Sequence, residues 1–179
     1  MLMALHPEVQ EKCQKEIDEV LGSKLPTIED VNKLTYVMAT LMEIQRYSLV
    51  AQGSLPHYLL SDTELRGYKF KKGTVFICNL EKFLNDPTEF PEPRHFKPDR
   101  FIGKDGNLRK SEYFVPFGVG KRICMGETLA KNELFIFFVR VFQRTKISCI
   151  EGKEPDANEF ISGITRIPKA FSVNVDFRS

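Results

Sequence analysis

Apolar residues recur at helical spacing over the opening stretch of the chain, then give way to short runs of β-prone residues, and later resume a helical period. From Pro7 to Leu21, residues Val9, Cys13, Ile17, Val20 and Leu21 share one helix face. Pro7 suits a first turn and Gly22 a stop. Glu8–Lys12 and Glu11–Lys15 have the i,i+4 spacing of favourable pairs on the opposite side. Thr27 with Asp30 has the form of a capping box and predicts a short helix. Tyr36 to Tyr47 predicts a third helix. Gly53, Pro56, Gly67 and Gly73 then punctuate three runs, His57 to Leu60, Tyr68 to Phe70 and Thr74 to Cys78, that read as strands of a small sheet. Between Asn85 and Pro116 little is periodic, and a connection that long is uncommon unless it has a function. Gly126 to Thr145 predicts the longest helix, apolar at Leu129, Leu134, Phe137, Phe138, Val141 and Phe142. The tail from Ile147 to Phe177 alternates enough to predict strands around Gly163.

Composition narrows the picture. The 179 residues are enough for one ordinary domain with a core, and fifteen phenylalanines with no tryptophan point to an aromatic one. A net charge of +2 argues against nucleic-acid binding driven by bulk charge. Cys13, Cys78, Cys124 and Cys149 form no Cys-x-x-Cys pair, so neither a zinc site nor a thioredoxin-like motif is indicated. Their scatter, with no signal peptide, fits a reducing compartment. The most apolar stretch, Leu134 to Phe142, contains Arg140 and falls well short of the roughly 20 residues a membrane span needs. Gly118-Val119-Gly120 is not a dinucleotide fingerprint, because Ile123 stands where the last glycine belongs. No Gly-Lys-Ser/Thr phosphate loop occurs.

The chemistry concentrates in Phe117-Gly118-Val119-Gly120-Lys121-Arg122-Ile123-Cys124-Met125-Gly126. One cysteine sits in a glycine-punctuated loop just ahead of the longest predicted helix. The positive end of that helix favours an anionic sulfur, and its unpaired first-turn N–H groups can donate to it. Gly118 and Gly120 allow backbone angles other residues resist. Gly126 leaves out a side chain where the helix would press on whatever the sulfur binds. Arg122 offers a planar donor fork for a carboxylate. A buried structural cysteine is the plainer reading of a lone free thiol.

The spacing Phe-x-x-Gly-x-Arg-x-Cys-x-Gly resembles the haem-ligand loop of cytochrome P450 monooxygenases, with each fixed position matched. Glu43-Ile44-Gln45-Arg46 resembles that family's Glu-x-x-Arg helix motif. Phe96-Lys97-Pro98-Asp99-Arg100-Phe101 resembles its Pro-x-Arg-Phe segment. The three occur in the family's order, and the likeness covers essentially the whole chain. It is nearest to the animal microsomal group that handles drugs, steroids and fatty acids.

The resemblance implies a mainly α fold with small β-sheets (α+β), the C-terminal, proximal-haem part of the cytochrome P450 fold. Residues 1–179 would then be a partial domain, without the distal oxygen-binding helix and the N-terminal anchor; Met1 to Ala4 would be that helix's last remnant. The implied cofactor is heme b, its iron held by the Cys124 thiolate, with NADPH acting indirectly through NADPH-cytochrome P450 reductase. Arg122 and His57 are implied to meet the haem propionates, though a lone histidine also reads as structural. Phe117 is implied to pack beside the sulfur. Glu43, Arg46 and Arg100 are implied to form a buried structural cluster with no acid–base role. Leu49 and Val50, with Gly163 and Ile164, resemble segments that contact a lipophilic small-molecule substrate, and equally resemble ordinary strand ends. Lys121, Lys131 and Arg140 read as a basic face for an acidic redox partner or as a solvated surface. The implied reaction inserts one atom of O2 into the substrate, at the cytosolic face of the endoplasmic reticulum membrane. If the 179 residues are instead a complete product, the expectation is a cytoplasmic, non-catalytic chain that binds haem weakly, binds a partner or fails to fold.

Overall fold

The computed structural model describes residues 1–178. Five α-helices come in the order α1 (Leu2–Leu5), α2 (Pro7–Val20), α3 (Thr35–Ser48), α4 (Leu80–Leu84) and α5 (Glu127–Arg144). Eight short strands lie between and after them: β1 (His57–Tyr58), β2 (Thr63–Leu65), β3 (Tyr68–Phe70), β4 (Val75–Phe76), β5 (Thr145–Cys149), β6 (Phe160–Ser162), β7 (Arg166–Pro168) and β8 (Val173–Phe177). They pair antiparallel as β1–β4, β2–β3, β5–β8 and β6–β7, giving four two-stranded sheets. This is the α+β class the sequence predicts.

The ends of α2 follow from its residues. Pro7 occupies the first turn, and Gly22 takes φ +56°, where an L side chain is strained. Val9, Cys13, Ile17 and Leu21 are buried, but Val20 points outward. The predicted i,i+4 pairs do not form as such. Lys12 reaches Asp99 (3.8 Å) and lies over the Tyr36 ring, and Lys15 pairs with Glu19 (3.9 Å). Surface ion pairs are weak enough for neighbouring elements to redirect them. The Thr27–Asp30 capping box is present, with Asp30 Oδ2 accepting from the Thr27 N–H at 2.9 Å; the helix it starts, Ile28–Lys33, is of 3-10 type.

Helix α3 has no cap of its own, since Leu34 precedes it. Glu16 of α2 supplies one: its two oxygens accept from the N–H groups of Tyr36 (2.9 Å) and Val37 (2.8 Å). Gln10 of α2 plays a similar part for β5. Its amide donates to Ile147 O and accepts from Ile147 N–H, both at 2.8 Å, while Gln14 donates to Thr145 O at 2.8 Å. These glutamines satisfy backbone groups that would otherwise be buried without partners. The main core lies among α2, α3 and α5, with Ile17, Leu34, Val37, Phe135 and Val139 fully buried. A smaller cluster joins Ala39 of α3 to Phe90 and Phe101.

Helix α5 departs from its predicted face. Phe135, Val139 and Phe142 are buried, whereas Leu129, Leu134, Phe137 and Val141 are exposed. Strand β2 and helix α4 were not predicted. β2 is polar and exposed, and its pairing is set by a two-residue turn with Arg66 at φ +50° and Gly67 at φ +82°. α4 is a single turn or so, started by Asn79 accepting from Lys82 N–H at 3.1 Å. The predicted irregular stretch from 85 to 116 holds one 3-10 turn, Pro98–Phe101. No helix among the described residues is long and apolar enough to cross a membrane.

Candidate functional site

The cysteine loop is built by backbone geometry more than by side-chain packing. Gly118 (φ +81°) and Gly120 (φ +71°) both lie in the left-handed region. They bracket Val119 and lead into a 3-10 turn, Gly120–Arg122. The Cys124 N–H donates back to Phe117 O at 3.0 Å and closes the loop. Glu127 N–H then donates to Cys124 O at 3.3 Å, and α5 begins. The loop thus holds Cys124 against the start of a rigid eighteen-residue helix.

Cys124 is exposed, and its neighbours are apolar yet uncovered: Val119, Ile123, Met125 and Leu129 all face outward. Met125 is fully exposed, at 103%. A cysteine set in an uncovered apolar surface, with cations Lys121 and Arg122 beside it in sequence, is shaped for a large flat ligand with an apolar body and anionic edges. A Cβ on Gly126 would lie 3.9 Å from the Cys124 sulfur. The protein itself has room for it, so what the glycine keeps clear is the flank of the sulfur. Phe117 is half-buried, with the Lys131 ammonium 5.6 Å from its ring centre. His57 is half-buried in β1, opposite Phe76.

Glu43, Arg46 and Arg100 come together in the interior. Glu43 and Arg46 are fully buried and meet through two hydrogen bonds, Arg46 Nε to Oε2 at 2.7 Å and Nη2 to Oε1 at 2.8 Å. Arg100 Nε reaches Oε1 at 3.2 Å, and Lys97 N–H donates to the same oxygen at 2.9 Å. Arg46 also donates to Leu84 O (3.0 Å) and Pro93 O (2.9 Å), and Arg100 to Pro91 O (2.8 Å). The cluster therefore ties α3 to α4 and to the irregular segment from Pro91 to Phe101. The partners in that segment are backbone atoms, which carry no residue-type signal in the sequence.

The two segments resembling substrate contacts are adjacent: Arg166 N–H donates to Val50 O at 2.8 Å. Within them the residues differ. Leu49 ends α3 in the left-handed region (φ +40°) and is buried, so it packs inward. Val50 and Ile164 are exposed, and Gly163 N–H closes the β6–β7 turn onto Thr165 O at 3.0 Å. Lys131 pairs with Glu127 (2.5 Å) and Arg140 donates to Gln143 (2.9 Å); Lys121 and Lys131 are exposed and Arg140 is half-buried.

Cys13 contrasts with Cys124. It is fully buried, its thiol donates to Thr40 Oγ1 at 3.3 Å, and burial pushes its pKa up to about 12. It is a packing residue. Among the described residues no cluster of three or more His, Cys, Asp or Glu side chains is placed to hold a metal ion.

The chain is 44% identical to cytochrome P450 2B9 of Mus musculus over 97% of its own length, and 43% identical to cytochrome P450 2B2 of Rattus norvegicus over the same share. It is 40% identical to cytochrome P450 2C2 of Oryctolagus cuniculus, again over 97%. In each case it spans 36% of the relative's length. The family model for cytochrome P450 matches residues 1–175, and with the cysteine loop and the buried Glu43–Arg46–Arg100 cluster on one scaffold, the chain belongs to the cytochrome P450 family.

Proposed function

We propose that residues 117–126 and the start of α5 form the thiolate-bearing, proximal face of a haem site in a monooxygenase. The observation that carries this reading is Cys124 exposed within an uncovered apolar surface, on a loop closed by its own backbone. One thiolate gives an iron one bond. The exposed thiol in an uncovered apolar surface, with Lys121 and Arg122 beside it in sequence, would suit an iron carried by a prosthetic group with an apolar body and anionic edges. The residues present fit haem on those grounds.

When bound, the haem would supply oxygen activation, which a thiolate ligand favours by donating electron density. The chain's own residues bind and orient. Cys124 would hold the iron through its thiolate. The hydrogen bond from its N–H to Phe117 O fixes the loop, and Gly126 keeps the sulfur's flank open. Arg122 would hold one propionate carboxylate, as a guanidinium does well, and His57 would hold the other. With the cofactor in place, the Phe117 ring would pack beside the sulfur. Glu43, Arg46 and Arg100 brace the irregular segment ahead of the loop and so retain the cofactor. Val50, Gly163 and Ile164 stand on the substrate side; Leu49 supports them from the core.

The same reading assigns residues 1–179 to the C-terminal part of the domain, with the oxygen-binding helix supplied by family segments outside these residues. Electrons come from NADPH through the reductase, which meets a face that includes Lys121. The substrate is a small lipophilic molecule, and the protein works at the cytosolic face of the endoplasmic reticulum membrane.

The test is the carbon monoxide spectrum of the reduced, haem-loaded protein beside Cys124→Ser. The expected result is a red-shifted, thiolate-type Soret band that the substitution abolishes. A band that survives in Cys124→Ser would sink the assignment of the ligand.

A further inference from the structure

Among the described residues, the Arg166 side chain joins the β6–β7 hairpin to α4 and to the segment around Gln52. The Arg166 N–H donates to Val50 O at 2.8 Å. Its guanidinium lies over the Phe160 ring at 4.9 Å and approaches the Glu81 carboxylate at 3.5 Å. With its amide turned so that the oxygen faces the guanidinium, Gln52 accepts from Nε and Nη2 of the same group. Glu81 sits in the first turn of α4, and its N–H donates to Gln52 O at 3.1 Å. Next along, Gly53 bridges Asn79. One guanidinium thus meets an aromatic face, an amide oxygen and a carboxylate, and each of the three belongs to a different segment. The Arg166 side chain is 17% exposed, so the contact is largely out of solvent.

The hairpin needs such a hold. β6 and β7 have three residues each, and a lone pair of strands that short is marginal in water. Its turn carries Ile164, 89% exposed. An arginine suits the position because its planar fork can serve two acceptors while stacking on a ring; a lysine offers a single point charge.

We infer that Arg166 is a positioning residue that sets how far the Gly163–Thr165 turn reaches over Val50, and so tunes the size of substrate accepted. This rests on the assignment of Val50 and Ile164 to the substrate side. Arg166 itself touches no substrate.

The test uses the full-length, haem-loaded protein, with Arg166→Leu, Arg166→Lys and Glu81→Gln. Two quantities are read: amide hydrogen exchange across 160–168, and the ratio of KM for the pentyl and methyl ethers of resorufin. The expected result for Arg166→Leu is exchange faster by about tenfold or more over 160–168. The KM ratio shifts by about threefold or more, with the change in KM and not in kcat. Arg166→Lys recovers only part of either. Unchanged exchange overturns the clamp and leaves the Cys124 reading standing. Faster exchange with an unchanged ratio overturns the hairpin's place at the substrate, and with it the inference. If Arg166→Leu does not retain haem, Glu81→Gln, which keeps the arginine, is judged by the same two criteria.

Discussion

Glu43 is a carboxylate with no exposure to solvent, and its charge is tolerable only because both oxygens are occupied. Oε2 takes Arg46 Nε, and Oε1 takes Arg46 Nη2, Arg100 Nε and Lys97 N–H. A buried ion pair gains little over an apolar replacement, but removing one partner strands the other charge. Glu43→Gln keeps the shape and removes the charge that two arginines share. It is expected to destabilise the folded protein by about 3–5 kcal/mol. Urea unfolding of the full-length protein measures this, and a loss below about 1 kcal/mol, the range of an exposed pair, would show that the cluster is not what braces the fold. The sequence contained the three charged residues of this cluster but not its size. The i,i+3 spacing of Glu43 to Arg46 reads equally as an exposed pair. What makes it a core feature is the set of carbonyls from Leu84, Pro91 and Pro93, and any residue type can supply a carbonyl.

At the scale of elements, signals local to a few residues were legible and those set by a distant neighbour were not. Gly22, Pro7 and the Thr27–Asp30 box each act within one turn, and each marks a boundary where the structure has one. The cap on α3 comes from Glu16, about twenty residues away, and no pattern announces it. The same holds for Gln10 and Gln14, polar residues on the buried side of α2, whose purpose appears only once β5 lies against them. The capping box also gives a pH dependence. The Lys33 ammonium, with the N–H and hydroxyl of Thr27, lowers the Asp30 pKa from 3.8 to about 2. Because the folded value is the lower one, the contribution is fully present above about pH 4 and is lost as the pH falls through about 2. Asp30→Asn removes it. The gap in unfolding midpoint between the wild type and Asp30→Asn is therefore expected to be constant above pH 4 and to close toward pH 2. A gap that did not depend on pH across that window would mean that the carboxylate's charge is irrelevant to the cap.

For the whole molecule, α5 is the informative element, because it is apolar on two sides. Phe135, Val139 and Phe142 face α2 and α3, while Leu134, Phe137 and Val141, spaced i, i+3 and i+7, form a second stripe that is exposed. A helix with apolar residues around most of its girth belongs between two layers. Periodicity located the helix but could not say which stripe this chain covers, since both stripes repeat at the same interval. The uncovered stripe, with the apolar surface around Cys124, fits a family whose relatives are matched over 36% of their length. Exposed apolar surface on this scale drives association. The 179-residue chain prepared alone is expected to bind the dye ANS and to sediment as aggregates or oligomers. Replacing Leu134, Phe137 and Val141 together by serine should reduce both signals in that chain. In a chain extended by the family segments outside these residues, the same replacement should have the opposite sense and lower stability, by the several kcal/mol, roughly 2–5 per site, that truncating buried apolar side chains costs. Sedimentation, dye fluorescence and urea unfolding on the two lengths distinguish the cases. A monomeric, dye-silent 179-residue chain would show that the stripe is an ordinary solvent-facing surface. Destabilisation of the extended chain by the triple replacement, with improved behaviour of the short chain, would show that α5 is an interior helix of a larger fold and would account for both of its faces.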